Sequence, residues 1–381
     1  TRLIGYCYLI KKEVIDQVGL LDERFTPGNF EDDDFSFRTI SKGYKLLLCK
    51  DTFIHHFQSV SFSAEQEKFI QVYSINRQKF YKKWGFNAEY SAGIRFDLIN
   101  TINEDVDKEM NILEVGCGIG SSLLEIKNRY KNANIYGLEI SEGAGNIVKH
   151  LCSTIIGNIE ELELGYEDGF FDYIIFGDVL EHLRDPWKIV KEMKKYLKES
   201  GSILASIPNI MHISVIKDIL NGRFPYAESG ILDKTHLRFF TLAEIQNLFM
   251  LNDYEISEIR ANGVYLSKED EDSITKLCKL SSENLKQQYM AYQYIVKAKH
   301  KKDVSKYESD DMIKFRFKLM RIDNNIDVEE SLNYIFDMYE KYQNEFLEDL
   351  TYLINNNVIN KEAVLNKIKD EALNRKYTNF I

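Results

Sequence analysis

Residues 112–120 read ILEVGCGIG, and from residue 121 the pattern turns helical. An apolar strand that ends in glycines and runs into a helix presents backbone N–H groups and a helix N-terminus to a ligand. Glycine permits the tight turn and a close approach. Nineteen residues after Gly120 comes Glu139, at the end of the next apolar run. A carboxylate there can accept both hydroxyls of a ribose, so the loop points to a nucleoside. The spacing is G-x-G-x-G, through Gly116, Gly118 and Gly120, with serine at 121. A dinucleotide loop needs G-x-G-x-x-G. Two residues before the first glycine stands an acid, Glu114. A carboxylate there would repel a pyrophosphate and suits a ligand with an ammonium group and a sulfonium.

Outward from this loop, strands and helices alternate. Strand-like runs lie at 111–115, 134–140, 153–157, 171–176, 202–207, 254–259 and 292–299. Helical patterns fall between them at 121–130, 142–150, 186–198, 212–221 and 241–251. That alternation predicts an α/β fold with a doubly wound, mainly parallel sheet. A polar helical insertion at about 268–291 precedes the last run. Three regions result: 1–90, 91–300 and a helical, polar 301–381.

The bulk properties fit an ordinary globular chain. It has 381 residues, 44% hydrophobic and 29% charged. Its formal charge of −11 argues against a grip on nucleic acid phosphates. The five cysteines form no C-x-x-C pair, so reduced thiols in the cytoplasm are expected. No signal peptide or membrane-spanning run is apparent. The chain opens at Thr1 directly into RLIGYCYLI, which reads as a strand under way and as part of a longer protein.

With ILEVGCGIG, IYGLEIS, GNIEEL, FDYIIFGDVLEHLRDP, LKESGSILASIPNIMH and GILDKTHLRFFT, the central region resembles a class I S-adenosylmethionine-dependent methyltransferase. The resemblance implies a seven-stranded Rossmann-like methyltransferase sheet whose seventh strand arrives out of order. It puts Gly116, Gly118 and Gly120 under the methionine part of S-adenosylmethionine and Glu114 near its amino group. Glu139 holds the ribose, Asn158 and Ile159 border the adenine, and Asp178 faces the methionine end. Many relatives have Asp where this chain has Asn158; the amide oxygen can still accept from the adenine amine.

Methyl transfer to a hydroxyl needs alignment, exclusion of water and a base of near-neutral pKa. His182 and His236 are the base candidates, with His212 third, because all three sit near carboxyl ends of strands. Asp178, Glu181 and His182 have a spacing a metal could use, and some magnesium-using methyltransferases have an acid-rich motif here, but in most relatives with LEH no metal is implied. Amino-methyltransferases of nucleic acids carry an Asn or Asp with two prolines and an aromatic after the fourth strand; here that place reads GDVLEHL.

The first ninety residues hold FEDDDFSFR at 30–38, on its face a solvated acidic turn. With GYCYLIKKEVIDQVGLLDERF before it, and HHFQS and NRQKFYKKWG after it, the region resembles the carboxyl-terminal part of a GT-A-type, family 2 glycosyltransferase. The resemblance makes Asp32 the candidate base for an acceptor hydroxyl and His56 a ligand of a divalent metal. The nucleotide-binding half with its Asp-x-Asp is not in this chain. No glycosyl transfer is therefore expected from these residues alone, and the metal belongs only to a complete glycosyltransferase domain.

The two resemblances together imply a methyltransferase acting on a sugar hydroxyl of a cell-surface glycan, with a glycan or sugar-nucleotide-derived acceptor as partner. It would work in the cytoplasm, up to the inner face of the membrane. Two alternatives stand beside it: a glycosyltransferase with an accessory methyltransferase-like domain, and a noncatalytic scaffold. In the tail, apolar residues from Val328 to Leu353 at helical spacing predict a stripe that packs on a neighbouring helix or another chain.

Overall fold

The structure is a computed structural model that describes residues 1–55, 66–281, 285–300, 309–358 and 360–377. Seven strands form one sheet: β1 Met110–Val115, β2 Ala133–Glu139, β3 Ser153–Ile156, β4 Phe171–Gly177, β5 Leu197–Pro208, β6 Tyr254–Gly263 and β7 Ala291–His300. Their order across the sheet is β3-β2-β1-β4-β5-β7-β6. β1 pairs in parallel with β2 and β4, β2 with β3, and β4 with β5. β7 runs antiparallel to β5, with Ser202 opposite Lys299 and Pro208 opposite Gln293.

Helices cover the faces of the parallel strands, so the central strands read as unbroken apolar runs. β4 is buried along all but its last residue. Ser121–Arg129 follows β1, Glu142–Val148 follows β2 and Pro186–Tyr196 follows β4. Ser141 caps the second of these and Asp185 the third through side-chain oxygens. The order reverses between β1 and β4, where an open α/β sheet seats its ligand beyond the carboxyl ends of its strands.

Two compact units divide the chain. The first comprises residues 1–239 and 257–299, the second residues 240–256 and 300–381. In the second, helices Ser309–Asp323, Val328–Asn357 and Lys361–Asn374 bury one core around Phe315, Phe336, Phe346 and Leu350. The apolar stripe of the middle helix therefore packs on its own sequence neighbours. That helix kinks at Gln343.

Two expectations are corrected. Residues 1–10 form no strand, although RLIGYCYLI has the composition of one, and neither does the apolar run from Tyr44 to Cys49. Apolar composition does not make a strand where no neighbouring strand completes the backbone hydrogen bonds. Leu9, Leu47 and Leu48 are accordingly exposed. The acidic run is not a solvated turn: Glu31, Asp32, Asp33 and Asp34 make the first turn of helix Glu31–Ser41. Four acids at a helix N-terminus sit where the macrodipole favours negative charge. Asp33 pairs with Arg2 at 2.9 Å, and the buried Asp34 with Arg38 and Lys83.

Residues on both sides of position 90 share one core. Phe25, Phe30, Phe37, Phe80 and Phe86 pack with Ile119 of the glycine loop and with Ala144 and Ile147. The inserted region holds helices Lys268–Leu280 and Lys286–Met290, which bury Ile274, Cys278 and Tyr289 against Ile213. Among the described residues no helix is long and apolar enough to cross a membrane.

Candidate active site at the carboxyl ends of the strands

Gly116, Gly118 and Gly120 all adopt positive φ, at 70°, 55° and 75°. Two of them are also crowded by the protein itself. A Cβ on Gly116 would come within 2.6 Å of the Val179 side chain, and one on Gly118 within 2.5 Å of the Ser91 carbonyl oxygen. That carbonyl accepts from the Ile119 N–H at 3.1 Å. The glycines thus let residue 91 close over the loop.

Glu139 ties the loop to the end of β2. Its Oε2 accepts from the Gly118 N–H and its Oε1 from the Ser141 N–H, each at 2.8 Å. Burial raises its pKa against the pull of these amides. Each carboxylate oxygen retains a second lone pair. Glu114, on β1 beneath the loop, is 4% exposed, and one of its carboxylate oxygens has no protein partner. Burial pushes its pKa up to about 8, while the Ser122 hydroxyl and Arg95 pull it down. The sequence suggests a fixed negative charge here. In this structure the neutral carboxyl dominates at pH 7, and a cationic group beside it would restore the charge.

At the end of β3, the Asn158 oxygen accepts from the Glu160 N–H at 3.0 Å and its amide donates to Glu161 at 3.1 Å. Ile159 beside it is 5% exposed. After β4, Asp178 takes a positive φ of 55°. Its carboxylate accepts from Arg95 and from the Ser206 hydroxyl, both at 2.7 Å. Arg95 also grips Asp97 at 2.7 Å. Sequence reasoning did not name Arg95 or Ser206; they lie 83 and 28 residues from Asp178.

His182 and His236 come together. Their ring centroids are 4.7 Å apart and the planes cross at 74°. The short turn Leu180–His182 is latched to the later loop, because Leu237 and Arg238 donate their N–H groups to the Glu181 carbonyl at 2.8 and 3.0 Å. Close to both histidines lies the Glu181 side chain, 1% exposed, with neither carboxylate oxygen hydrogen-bonded. Its Oε1 stands 4.0 Å from His236 Nε2. Burial, and after it the charge of Asp178, holds the Glu181 carboxyl well above the usual carboxylate range. Burial, and after it His236, lowers the pKa of His182.

His212 serves elsewhere: its Nδ1 accepts from the Ser214 N–H at 3.3 Å and caps helix Ile213–Leu220. The trio Asp178, Glu181 and His182 is not assembled, since Asp178 turns to Arg95 and Ser206. Asn209 of the PNI segment donates to the Gln288 and Ala291 carbonyls, both at 2.7 Å. In the first region, Asp32 accepts from the Gly5 and Asp33 N–H groups, each at 2.9 Å. His56 lies outside the described residues.

Comparison with known proteins finds methyltransferases. Residues 86–259 match the family described as a methyltransferase domain. The chain is 23% identical over 189 residues to a mitochondrial ubiquinone biosynthesis O-methyltransferase of Dictyostelium discoideum, covering 43% of this chain and 58% of that protein. It is 31% identical over 105 residues to an ajmaline N-methyltransferase of Rauvolfia serpentina, covering 26% and 35%. Among solved structures it is similar to a SAM-dependent methyltransferase of Archaeoglobus fulgidus at 17% identity and a TM-score of 0.39, over 58% of this chain and 97% of that one. The chain spans between about a third and three fifths of the length of these two curated relatives. Residues 86–259, which match that family, hold the glycine loop and strands β1 to β5 of the sheet.

Proposed function

We propose that this chain binds S-adenosylmethionine at the glycine loop and directs its methyl group to a hydroxyl of a sugar-linked acceptor. The observation that carries the reading is Glu114: a buried carboxyl with an unpartnered oxygen, beneath three glycines of positive φ and beside Glu139. An ammonium group is the partner such an oxygen lacks, whereas a pyrophosphate would leave it uncompensated. The residues present therefore fit S-adenosylmethionine. Gly116, Gly118 and Gly120 would lie under its methionine part, Glu114 at the amino group, Glu139 at the ribose hydroxyls, Asn158 and Ile159 at the adenine, and Asp178 toward the methionine end. Bound there, the cofactor supplies an electrophilic methyl on a sulfonium.

The remaining work falls to this chain's own residues. Arg95 and Ser206 hold Asp178 in its left-handed conformation, so its carboxylate stays in one place. Positioning of this kind is a large part of what methyl transfer asks of a protein. The His182–His236 pair activates the acceptor hydroxyl. Burial lowers the pKa of His182 and so favours its neutral ring, the form that can draw a proton from an alcohol.

The sugar-linked acceptor rests on the likeness of residues 1–90 to a glycosyltransferase carboxyl-terminal part, an argument from association. That likeness also carries the reading of a larger, cytoplasmic protein working on cell-surface glycans. Each oxygen of Asp32 accepts from one backbone amide, and the nucleotide-binding half that its expected role requires is not among these residues. The activity we propose for this chain is methyl transfer alone.

Calorimetry with S-adenosylmethionine is the first test. One site per chain is expected, with loss of on the order of 100-fold in affinity for Glu139→Ala as two charge-assisted bonds go. Unchanged affinity in that variant would overturn the placement. Incubation with a labelled methyl donor and glycan extracts, followed by mass spectrometry, then identifies the acceptor.

A further inference from the structure

Glu181 presents a physical problem. It is 1% exposed, neither of its carboxylate oxygens has a hydrogen-bond partner, and the nearest cationic candidate is a histidine 4.0 Å away. Buried carboxylates are paired, neutralised or bound to metal. What surrounds this one favours metal. One ligand atom each from Glu181, His182 and His236 lies within 4.8 Å of the others. Among the described residues no other group of three His, Cys, Asp or Glu side chains converges so closely.

The tautomers of both rings follow from their outer bonds. His236 Nδ1 is 2.9 Å from the Ile231 carbonyl, which only accepts, so Nδ1 carries the proton. His182 Nδ1 is 3.3 Å from the Thr235 carbonyl and 3.2 Å from the Thr235 hydroxyl. That hydroxyl gives its own proton to Asp233 at 2.7 Å, so it too accepts from His182. Each neutral ring therefore leaves Nε2 unprotonated. Outer bonds from Nδ1–H to a carbonyl, or through a hydroxyl to a carboxylate, are how metal-binding imidazoles are oriented.

We infer that Glu181, His182 and His236 form a binding site for a divalent transition cation, with the histidines ligating through Nε2. Two imidazoles and one carboxylate suit Zn2+, Mn2+ or Fe2+ rather than Mg2+ or Ca2+, which prefer all-oxygen shells. Metal bonds of about 2.0–2.1 Å place tetrahedral ligand atoms about 3.3 Å apart. The observed spacing, up to 4.8 Å, needs a contraction of up to about 1.5 Å, within reach of side-chain torsions. Three protein ligands leave a coordination position open. An acceptor hydroxyl seated in that position becomes a stronger acid and gives its proton to water. With both Nε2 atoms bound, the cation replaces the free rings as the group that activates the hydroxyl. This role rests on the methyl-transfer reading, whereas the site itself rests on the geometry alone.

The test uses the full chain without a histidine tag, stripped with chelator and then titrated separately with Zn2+, Mn2+ and Mg2+. Elemental analysis after dialysis is expected to return one Zn2+ per chain, with Mg2+ at background. Glu181→Gln and the double variant His182→Gln/His236→Gln should lose at least 100-fold in Zn2+ affinity, and Thr235→Val about 10-fold through the freed His182 ring. Far-ultraviolet circular dichroism on the same samples reports that each variant is folded, and calorimetry with S-adenosylmethionine reports the cofactor site separately. No stoichiometric Zn2+ in the parent, or full Zn2+ binding by the double variant, would overturn the site. Mg2+ uptake equal to that of Zn2+ would overturn its transition-metal character. Zn2+ binding without S-adenosylmethionine binding would instead remove the methyl-transfer reading and leave the site standing.

Discussion

Glu114 shows how one residue can set both stability and ligand choice. Burial holds its carboxyl at about 8, against an ordinary 4.5. Below about pH 4.5 the folded and unfolded chains both carry the proton. Between about 4.5 and 8 the unfolded chain releases it and the folded chain keeps it, so stability falls as pH rises through that window and levels off above it. Glu114→Gln removes the titration. The variant should match the parent's urea midpoint at pH 4 and exceed it at pH 8, by a free energy on the order of 4 kcal/mol. Equal stability of the two proteins at pH 8 would contradict the buried, unpaired carboxyl. The same variant should bind S-adenosylmethionine more weakly, because a glutamine cannot supply the countercharge. The acid beneath the glycines was legible in the sequence, being two residues away. Its neutral resting form was not, because that depends on how completely β1 is covered. His182 and His236 were each legible as histidines in loops past strand ends. Their contact was hidden, since it is made by backbone bonds between segments some fifty residues apart in sequence.

Elements were easier to read than contacts, for a physical reason. Parallel strands buried on both faces carry their signal in composition, and helices between them carry it in period. β1 and β4 stand within a residue of where the apolar runs put them. The same signal misled at residues 1–10, where apolar composition meets no pairing partner. The glycine loop was legible as a ligand cradle, but its tightest neighbour is protein: the Ser91 carbonyl above Gly118. Gly118→Ala should therefore fail twice. A side chain at a φ of 55° costs about 1–2 kcal/mol, and the Cβ must also push the backbone at Ser91 aside. A thermal melt should show a loss of at least about 2 kcal/mol, with weaker cofactor binding as the loop moves. A variant as stable as the parent would show that residue 91 yields freely.

At the scale of the whole molecule, the first ninety residues and the glycine loop are parts of one packing arrangement. Phe80 is 1% exposed and its ring centroid lies 5.5–6.3 Å from those of Phe25, Phe30, Phe37, Trp84 and Phe86. That cluster continues into Ile119, Ala144 and Ile147. Gly143 is needed as well, because a Cβ there would overlap the Trp84 carbonyl. The sequence drew attention to residues 1–90 as a separate resemblance, and aromatic composition says nothing of which surface it will cover. Here it covers the back of the loop and of helix Glu142–Val148, both of which flank the proposed cofactor seat. Phe80→Ala should cost about 3–5 kcal/mol, the usual range for deleting a buried ring. It should also weaken S-adenosylmethionine binding, although Phe80 belongs to none of the segments expected to touch the ligand. A chain begun at residue 91 should do worse, leaving Ile119, Ala144 and Ile147 exposed. Calorimetry on that shortened chain decides the matter. Affinity equal to the full chain would mean that the aromatic cluster is only an attachment; lost binding in a chain that still shows helical circular dichroism would make it the support on which the loop is built.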